Sequence, residues 1–151
     1  MLSTQLTSEQ CAAQVMEVVP KVMRFIRAEA RRQQEPFLSL SQLRVLAFLD
    51  RNSQASLSEV ADYLDVSRSS MSAMIERLVQ RGLVNRIEDP QERRRVILTL
   101  TATGVEHLHQ VSDATCSQVA GVLASLSEAQ LHQVIQGMAL LEDVFKDVKA
   151  L

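Results

Sequence analysis

Between residues 56 and 101 the chain carries, in order, a helix-start signal, a tight turn, a second helix start, a glycine stop and two alternating segments around Asp89-Pro90. Ser56 and Glu59 stand three apart. At that spacing a hydroxyl accepts from the third backbone N–H while a carboxylate reaches back to the cap's own N–H. The helix they open sends Val60, Ala61 and Leu64 inward. Asp65-Val66-Ser67 then reads as the turn, with Ser67 as the N-cap of the next helix and Val66 as its apolar staple. Over 68–81, Met71, Met74, Ile75 and Leu78 recur at spacings of three and four, which makes one face apolar. Gly82 supplies the left-handed residue that ends such a helix. The segments 83–88 and 95–101 alternate as strands, and the Asp-Pro between them is turn chemistry. Two helices joined by a tight turn and followed by a two-stranded hairpin make a winged helix-turn-helix.

Long helices flank this module. Over 8–34 the residues Val15, Val18, Val22, Phe25 and Ile26 fall on one side of a helix, and Ala12, Met16, Val19 and Met23 spread onto the next. Pro20 lies inside that pattern and predicts a kink, and Pro36 closes the segment. Ser39 with Gln42 has capping-box spacing and introduces Leu43, Leu46, Ala47 and Phe48. Two further helices are expected over 103–123 and 128–148, separated by Ser125-Leu126-Ser127-Glu128, a third capping-box signal. The last carries Leu131, Val134, Ile135, Met138, Leu141, Val144, Phe145 and Val148 on one broad stripe. Helices with stripes this wide need partners, so they are expected to pack on each other and on a second copy of the chain, making a homodimer.

Composition agrees. Aromatic residues are only 3% of the chain and Gly only four, which favours helices packed with Leu, Val, Ile, Met and Ala. The expected fold is mainly α with a small β wing: residues 37–101 form the winged helix-turn-helix, and 1–36 with 102–151 form a helical dimerisation domain. The net charge of −2 does not by itself point to a polyanion, so local charge has to carry that argument. Between Arg68 and Arg95, seven arginines stand against four carboxylates. A polar N-terminus, no Cys-x-x-Cys spacing and no apolar run near the roughly 20 residues that cross a bilayer lead us to expect a cytoplasmic protein without a membrane partner. A nucleophile with its base, a phosphate loop and a metal cluster are all missing from the sequence. We therefore expect no enzyme activity, no cofactor and no metal site.

The outer face of the 68–81 helix is Arg68, Ser69, Ser72, Ala73 and Glu76. Small side chains there allow close approach to a DNA major groove, and Arg can bridge guanine O6 and N7. Taken alone, such a face is also ordinary solvated helix surface. The adjoining hairpin tip, with Arg93, Arg94 and Arg95, is the densest charge run in the chain and suits the negative potential of a narrow minor groove. A charge run is also a common solvated turn, but its place directly after the capped helix-turn-helix favours DNA.

The run from Val66 to Val84, followed by Asp89-Pro90-Gln91-Glu92-Arg93-Arg94-Arg95 and Val96 to Thr101, resembles the MarR family of bacterial and archaeal transcriptional regulators. The likeness extends to the flanking helices. It implies a dimer that presents one winged helix-turn-helix to each half of a pseudo-palindromic operator in double-stranded DNA, usually as a repressor. By that likeness Ser67, Ser70 and Ser72 belong to the reading helix, the latter two where the family usually has Thr. Arg77 falls where phosphate is often met. Arg94 matches the wing arginine of the minor groove, and Glu92 stands where Asp is usual.

The resemblance also implies release from DNA when a phenolic or other lipophilic ligand enters a cleft between the dimerisation helices and the DNA-binding module. Candidate lining residues are Phe25, Phe37, Phe48 and Leu49, each of which also suits plain core. A second sensing chemistry is thiol oxidation at Cys11, near the start of the first long helix. The only tyrosine, Tyr63, lies in the helix-turn-helix and not beside Cys11, which favours Cys11 and Cys116 as small apolar packing residues. A rival reading makes the winged helix a protein-docking surface that leaves DNA unbound. The arginines on both helix and wing, with Tyr63 as the only aromatic between residues 56 and 101, argue against that rival.

Overall fold

The computed structural model describes residues 5–33, 38–92 and 94–148. The expectations for Gln34, Pro36, Phe37 and Arg93 lie outside them. Thr7 opens the first helix, α1 (Ser8–Gln33), through a reciprocal cap. The Gln10 N–H donates to the Thr7 hydroxyl at 3.2 Å, and the Thr7 N–H donates to the Gln10 side-chain carbonyl at 3.0 Å. The helix continues through Pro20 as one element. The expected Ser39–Gln42 capping box is formed in both directions and starts α2 (Leu40–Arg51).

A two-residue strand, β1 (Ala55–Ser56), precedes α3 (Leu57–Leu64). Ser56 caps α3 as expected, accepting from the Glu59 N–H at 3.1 Å. The return arm of that box is not made, because the Glu59 carboxylate turns instead to the wing. At the end of α3, Asp65 takes the left-handed conformation (φ 55), which Asp tolerates better than most residues. The chain then enters α4 (Arg68–Gln80), capped by Ser67. Gly82 (φ 73) closes α4: its N–H donates to Val79 O, and the Leu83 N–H donates to Leu78 O. This is the double bond pattern of a Schellman stop.

Strands β2 (Val84–Glu88) and β3 (Val96–Leu100) form the expected antiparallel hairpin, with Arg86 opposite Leu98 and Ile87 opposite Ile97. The sheet has a third strand that the sequence reading lacked. β1 pairs with β3, Ala55 opposite Leu98, so β3 is central. Met71, Ile75 and Leu78 of α4 are fully buried with Val45, Leu46, Val60 and Leu98, which fixes the reading helix by its inner face. In α2 the deepest side chains are Val45 and Leu46, with Leu43 and Leu49 beside them, while Ala47 and Phe48 are only partly buried.

Helix α5 (Ala102–Leu123) starts against this core. The chain divides into two compact units, Met1–Thr115 and Cys116–Leu151. The second contains α6 (Glu128–Phe145), which begins at a capping box made by Ser127 with Gln130 and not by Ser125 with Glu128. The cap sits two residues late because the chain is still leaving α5 there. The Leu126 N–H donates to Leu123 O, and the Ser125 hydroxyl donates back to Val122 O. No residue of α6 is buried, and Ile135, Val144 and Phe145 are among its exposed apolar side chains.

Candidate nucleic-acid interface

With one face of α4 sunk in the core, the opposite face is left to solvent. Arg68, Ser69, Ser70, Ala73, Glu76 and Arg77 are exposed and Ser72 is half-buried. At the helix start three hydroxyls satisfy one another. Ser67 Oγ accepts from the Ser70 N–H at 3.1 Å, donates to Ser70 Oγ at 2.9 Å and lies 3.2 Å from Ser69 Oγ. This cluster fixes the first turn and presents hydroxyls that exchange readily with phosphate or base acceptors.

The wing tip is held by its own backbone. The Asp89 N–H donates to Arg95 O and the Arg95 N–H to Glu92 O, both at 2.8 Å. The Gln91 N–H donates to the Asp89 carboxylate at 2.9 Å, an Asx turn. Arg94 projects from this turn, exposed and without an ion-pair partner among the described residues. The neighbouring Glu92 carboxylate makes no ion pair with it there.

Two other arginines are engaged. Arg95 Nη2 meets Glu59 Oε1 of α3 at 3.2 Å, and Arg86 Nη1 of β2 meets Glu76 Oε2 of α4 at 3.3 Å. Glu76, read as part of the outward face, is therefore tied to a strand. Each pair is about half exposed, and such pairs contribute about 0–1 kcal/mol. A cleft of about 320 Å³ lies between the start of α3, the start of α4 and the wing. It is lined by Ser56, Leu57, Ser58, Glu59, Arg68, Glu92, Arg94, Arg95 and Val96. The geometry thus brings Arg68, Arg94 and Arg95 to one opening.

The candidate effector residues scatter. Leu49 is core at 3% exposure, Phe25 is half-buried on α1, and Phe48 packs on Tyr63 with ring centroids 4.6 Å apart. Phe48 and Tyr63 line a cleft of about 320 Å³ with Arg44, Ala47, Arg51 and Asn52. A more apolar cleft of about 240 Å³ lies among α1, α2 and α5. It is lined by Ile26, Ala30, Leu40, Leu43, Arg44, Ala47, Leu108, Val111, Ser112 and Thr115. The Thr115 hydroxyl is buried without a hydrogen-bond partner among the described residues. None of the three described candidates, Phe25, Phe48 and Leu49, lines this second cleft. Pairs such as Ile26/Ala30 and Leu43/Ala47 show helical spacing, but nothing local says that three helices meet over them. Cys11 and Cys116 are both exposed in the protomer, so neither packs inside the chain. Among the described residues no three His, Cys, Asp or Glu side chains gather as a metal site.

A family model described as the MarR family matches residues 38–95, from the cap of α2 through the wing tip. The uncharacterized HTH-type transcriptional regulator YdgG of Bacillus subtilis is 24% identical over 133 residues, covering 87% of this chain and 88% of the relative. Residues 38–95 are thus similar to the MarR family. Members of this family are DNA-binding transcriptional regulators, not enzymes. The HTH-type transcriptional repressor MdtR of Bacillus subtilis is 31% identical over 93 residues, which is 62% of this chain and 60% of MdtR. A MarR family protein from Bacillus stearothermophilus has the same fold, with a TM-score of 0.81 at 17% identity over 94% of this chain and 100% of that one.

Proposed function

We propose that the protein is a homodimeric repressor whose two α4 helices enter successive major grooves of a pseudo-palindromic operator. The observation that carries this reading is the shared opening at the wing. Arg68 at the head of a helix anchored by its far side and Arg94 on a closed turn flank one cleft. That arrangement suits a groove edge read from α4 and a minor groove entered by Arg94. Ser67, Ser69, Ser70, Ser72, Ala73 and Arg77 complete the reading and phosphate-contact set, with Arg93 beside Arg94 in sequence. The repressor direction is supported by the name of MdtR.

Dimerisation is supported separately by the two units. On α1, Met16, Val18, Val19, Val22 and Met23 are exposed, and on α6 the stripe through Ile135, Met138 and Val144 is exposed. Such faces are costly in water and mark association surfaces. The α1–α2–α5 cleft is the place we assign to a small lipophilic effector, with the Thr115 hydroxyl as a hydrogen-bonding partner. No described helix is long and apolar enough to cross a membrane, and action on DNA places the protein in the cytoplasm.

Anisotropy of a labelled duplex containing the chain's own promoter region, over a salt series, tests the reading. Affinity should fall with a log–log slope of about −0.9 per phosphate neutralised. A flat response, or no binding at any salt, overturns it. Light scattering at micromolar concentration tests the dimer, which a monomeric mass contradicts.

A further inference from the structure

Glu59 stands where α3 needs a reciprocal cap, yet its carboxylate reaches across 36 residues of sequence to Arg95 at the wing tip. It touches the reading helix nowhere in the hydrogen-bond pattern. The same device recurs on the other wing strand, where Glu76 holds Arg86. Half exposed as they are, these pairs add little to folding. Their consequence is electrostatic. A phosphate approaching the opening meets Arg68 and Arg94 as free cations, but meets Arg95 as one half of a neutral pair.

We propose that Glu59 is a positioning residue that withholds Arg95 from phosphate and so limits the protein's sequence-independent affinity for DNA. The proposal rests on the DNA-binding reading above. Guanidinium–phosphate contacts release counterions and supply nearly all of the sequence-independent affinity of a DNA-binding protein. A third free arginine in the opening would strengthen binding to any duplex without adding base readout. Operator and non-operator affinity would then rise together, and the protein would be held more tightly on arbitrary sequence. By engaging Arg95, Glu59 leaves the wing's contact to Arg94 and keeps the protein from being held on arbitrary sequence.

The test uses the full chain with Glu59→Gln, Arg95→Gln and the double substitution. Binding to an operator duplex and to a scrambled duplex of equal length is measured from 50 to 200 mM salt, on the order of the range where slopes are well resolved. Glu59→Gln keeps the side-chain shape, and a circular-dichroism melt confirms that each variant folds. On the scrambled duplex Glu59→Gln should tighten binding and steepen the slope by about 0.9 for each half-site engaged. Operator affinity should rise by a similar factor, leaving the operator-to-scrambled ratio unchanged. Adding Arg95→Gln should return the slope to that of the unaltered protein, because the released cation is gone.

Two results overturn the proposal alone. Weaker binding to both duplexes with an unchanged slope makes Glu59 a brace only. A steeper slope that persists in the double variant assigns the effect to bulk charge and not to Arg95. Absence of binding by the unaltered protein overturns the DNA-binding reading and the proposal together.

Discussion

Gly104 joins the reading head to α5, and replacing it by Ala probes that joint. The Gly104 N–H donates to Thr101 Oγ1 at 2.9 Å, the Thr101 hydroxyl donates to Gly82 O at 2.6 Å, and the Thr101 N–H donates to Leu83 O at 3.1 Å. These three bonds pin the first turn of α5 to the Schellman stop of α4. A Cβ on Gly104 would fall on the Leu83 carbonyl oxygen, with the carbonyl carbon 3.1 Å away. Both atoms are backbone, so no rotamer change relieves the clash. Separating them breaks the Thr101–Leu83 bond beside Leu83, which is 2% exposed. A buried backbone group left without its partner costs about 1–3 kcal/mol. Loosened packing of Leu83 and Leu108 adds about 1–2 kcal/mol at the usual area coefficient. Alanine returns at most about 1 kcal/mol as a better helix former than glycine. The net loss is about 1–4 kcal/mol, and at roughly 2–4 °C per kcal/mol for a chain of this size the melting temperature should fall by about 2–16 °C. Circular-dichroism melts at one fixed protomer concentration measure it, since association makes the midpoint concentration-dependent. Gly121→Ala is the control: its Cβ meets nothing within 4 Å, so the melting temperature should stay or rise. A Gly104→Ala protein that melts at or above the unaltered one refutes the reasoning.

Three further outcomes are expected. Ser67→Ala removes the acceptor for the Ser70 N–H and should cost about 1 kcal/mol of stability, read as a lower urea midpoint at constant m; an unchanged midpoint removes the cap from the account. Arg94→Ala should weaken binding to most duplexes alike, whereas Arg68→Ala should relax base preference at one position by about 1–3 kcal/mol; competition against a panel of operator variants separates the two, and unchanged affinity of Arg94→Ala removes the wing contact. Ile135→Lys places a charge on the exposed stripe of α6 and should shift the light-scattering mass from dimer to monomer with helix content kept, while an unchanged dimer mass takes that stripe out of the interface.

The parts of this fold that were legible in the sequence are the ones written locally. The Ser39–Gln42 box, the Ser67 cap and the Gly82 stop each need only neighbours within a few residues, and each stands where its spacing put it. Non-local choices were not legible. Ala55 and Ser56 are too few to alternate, and they become a strand only because Leu98 and Ile97 offer free backbone groups beside them. Glu59 has a capping-box position, yet a cation brought near by the hairpin outcompetes its own N-cap. At 125–130 two overlapping cap signals compete, and the exit of α5 decides for Ser127. At the interface, exposure of α4 followed from periodicity, but the pairing of Glu76 with Arg86 and of Glu59 with Arg95 required knowing how the wing folds back.

Hydroxyl-radical footprinting on an operator selected by the protein from random duplexes tests the central claim most directly. Two symmetry-related sets of protections are expected, whose major-groove centres lie about one helical turn, roughly 10–10.5 base pairs, or a multiple of it apart. Minor-groove protections should flank them and disappear in Arg94→Ala. A single unpaired patch, protections without two-fold symmetry, or a pattern indifferent to both Arg68 and Arg94 would contradict it.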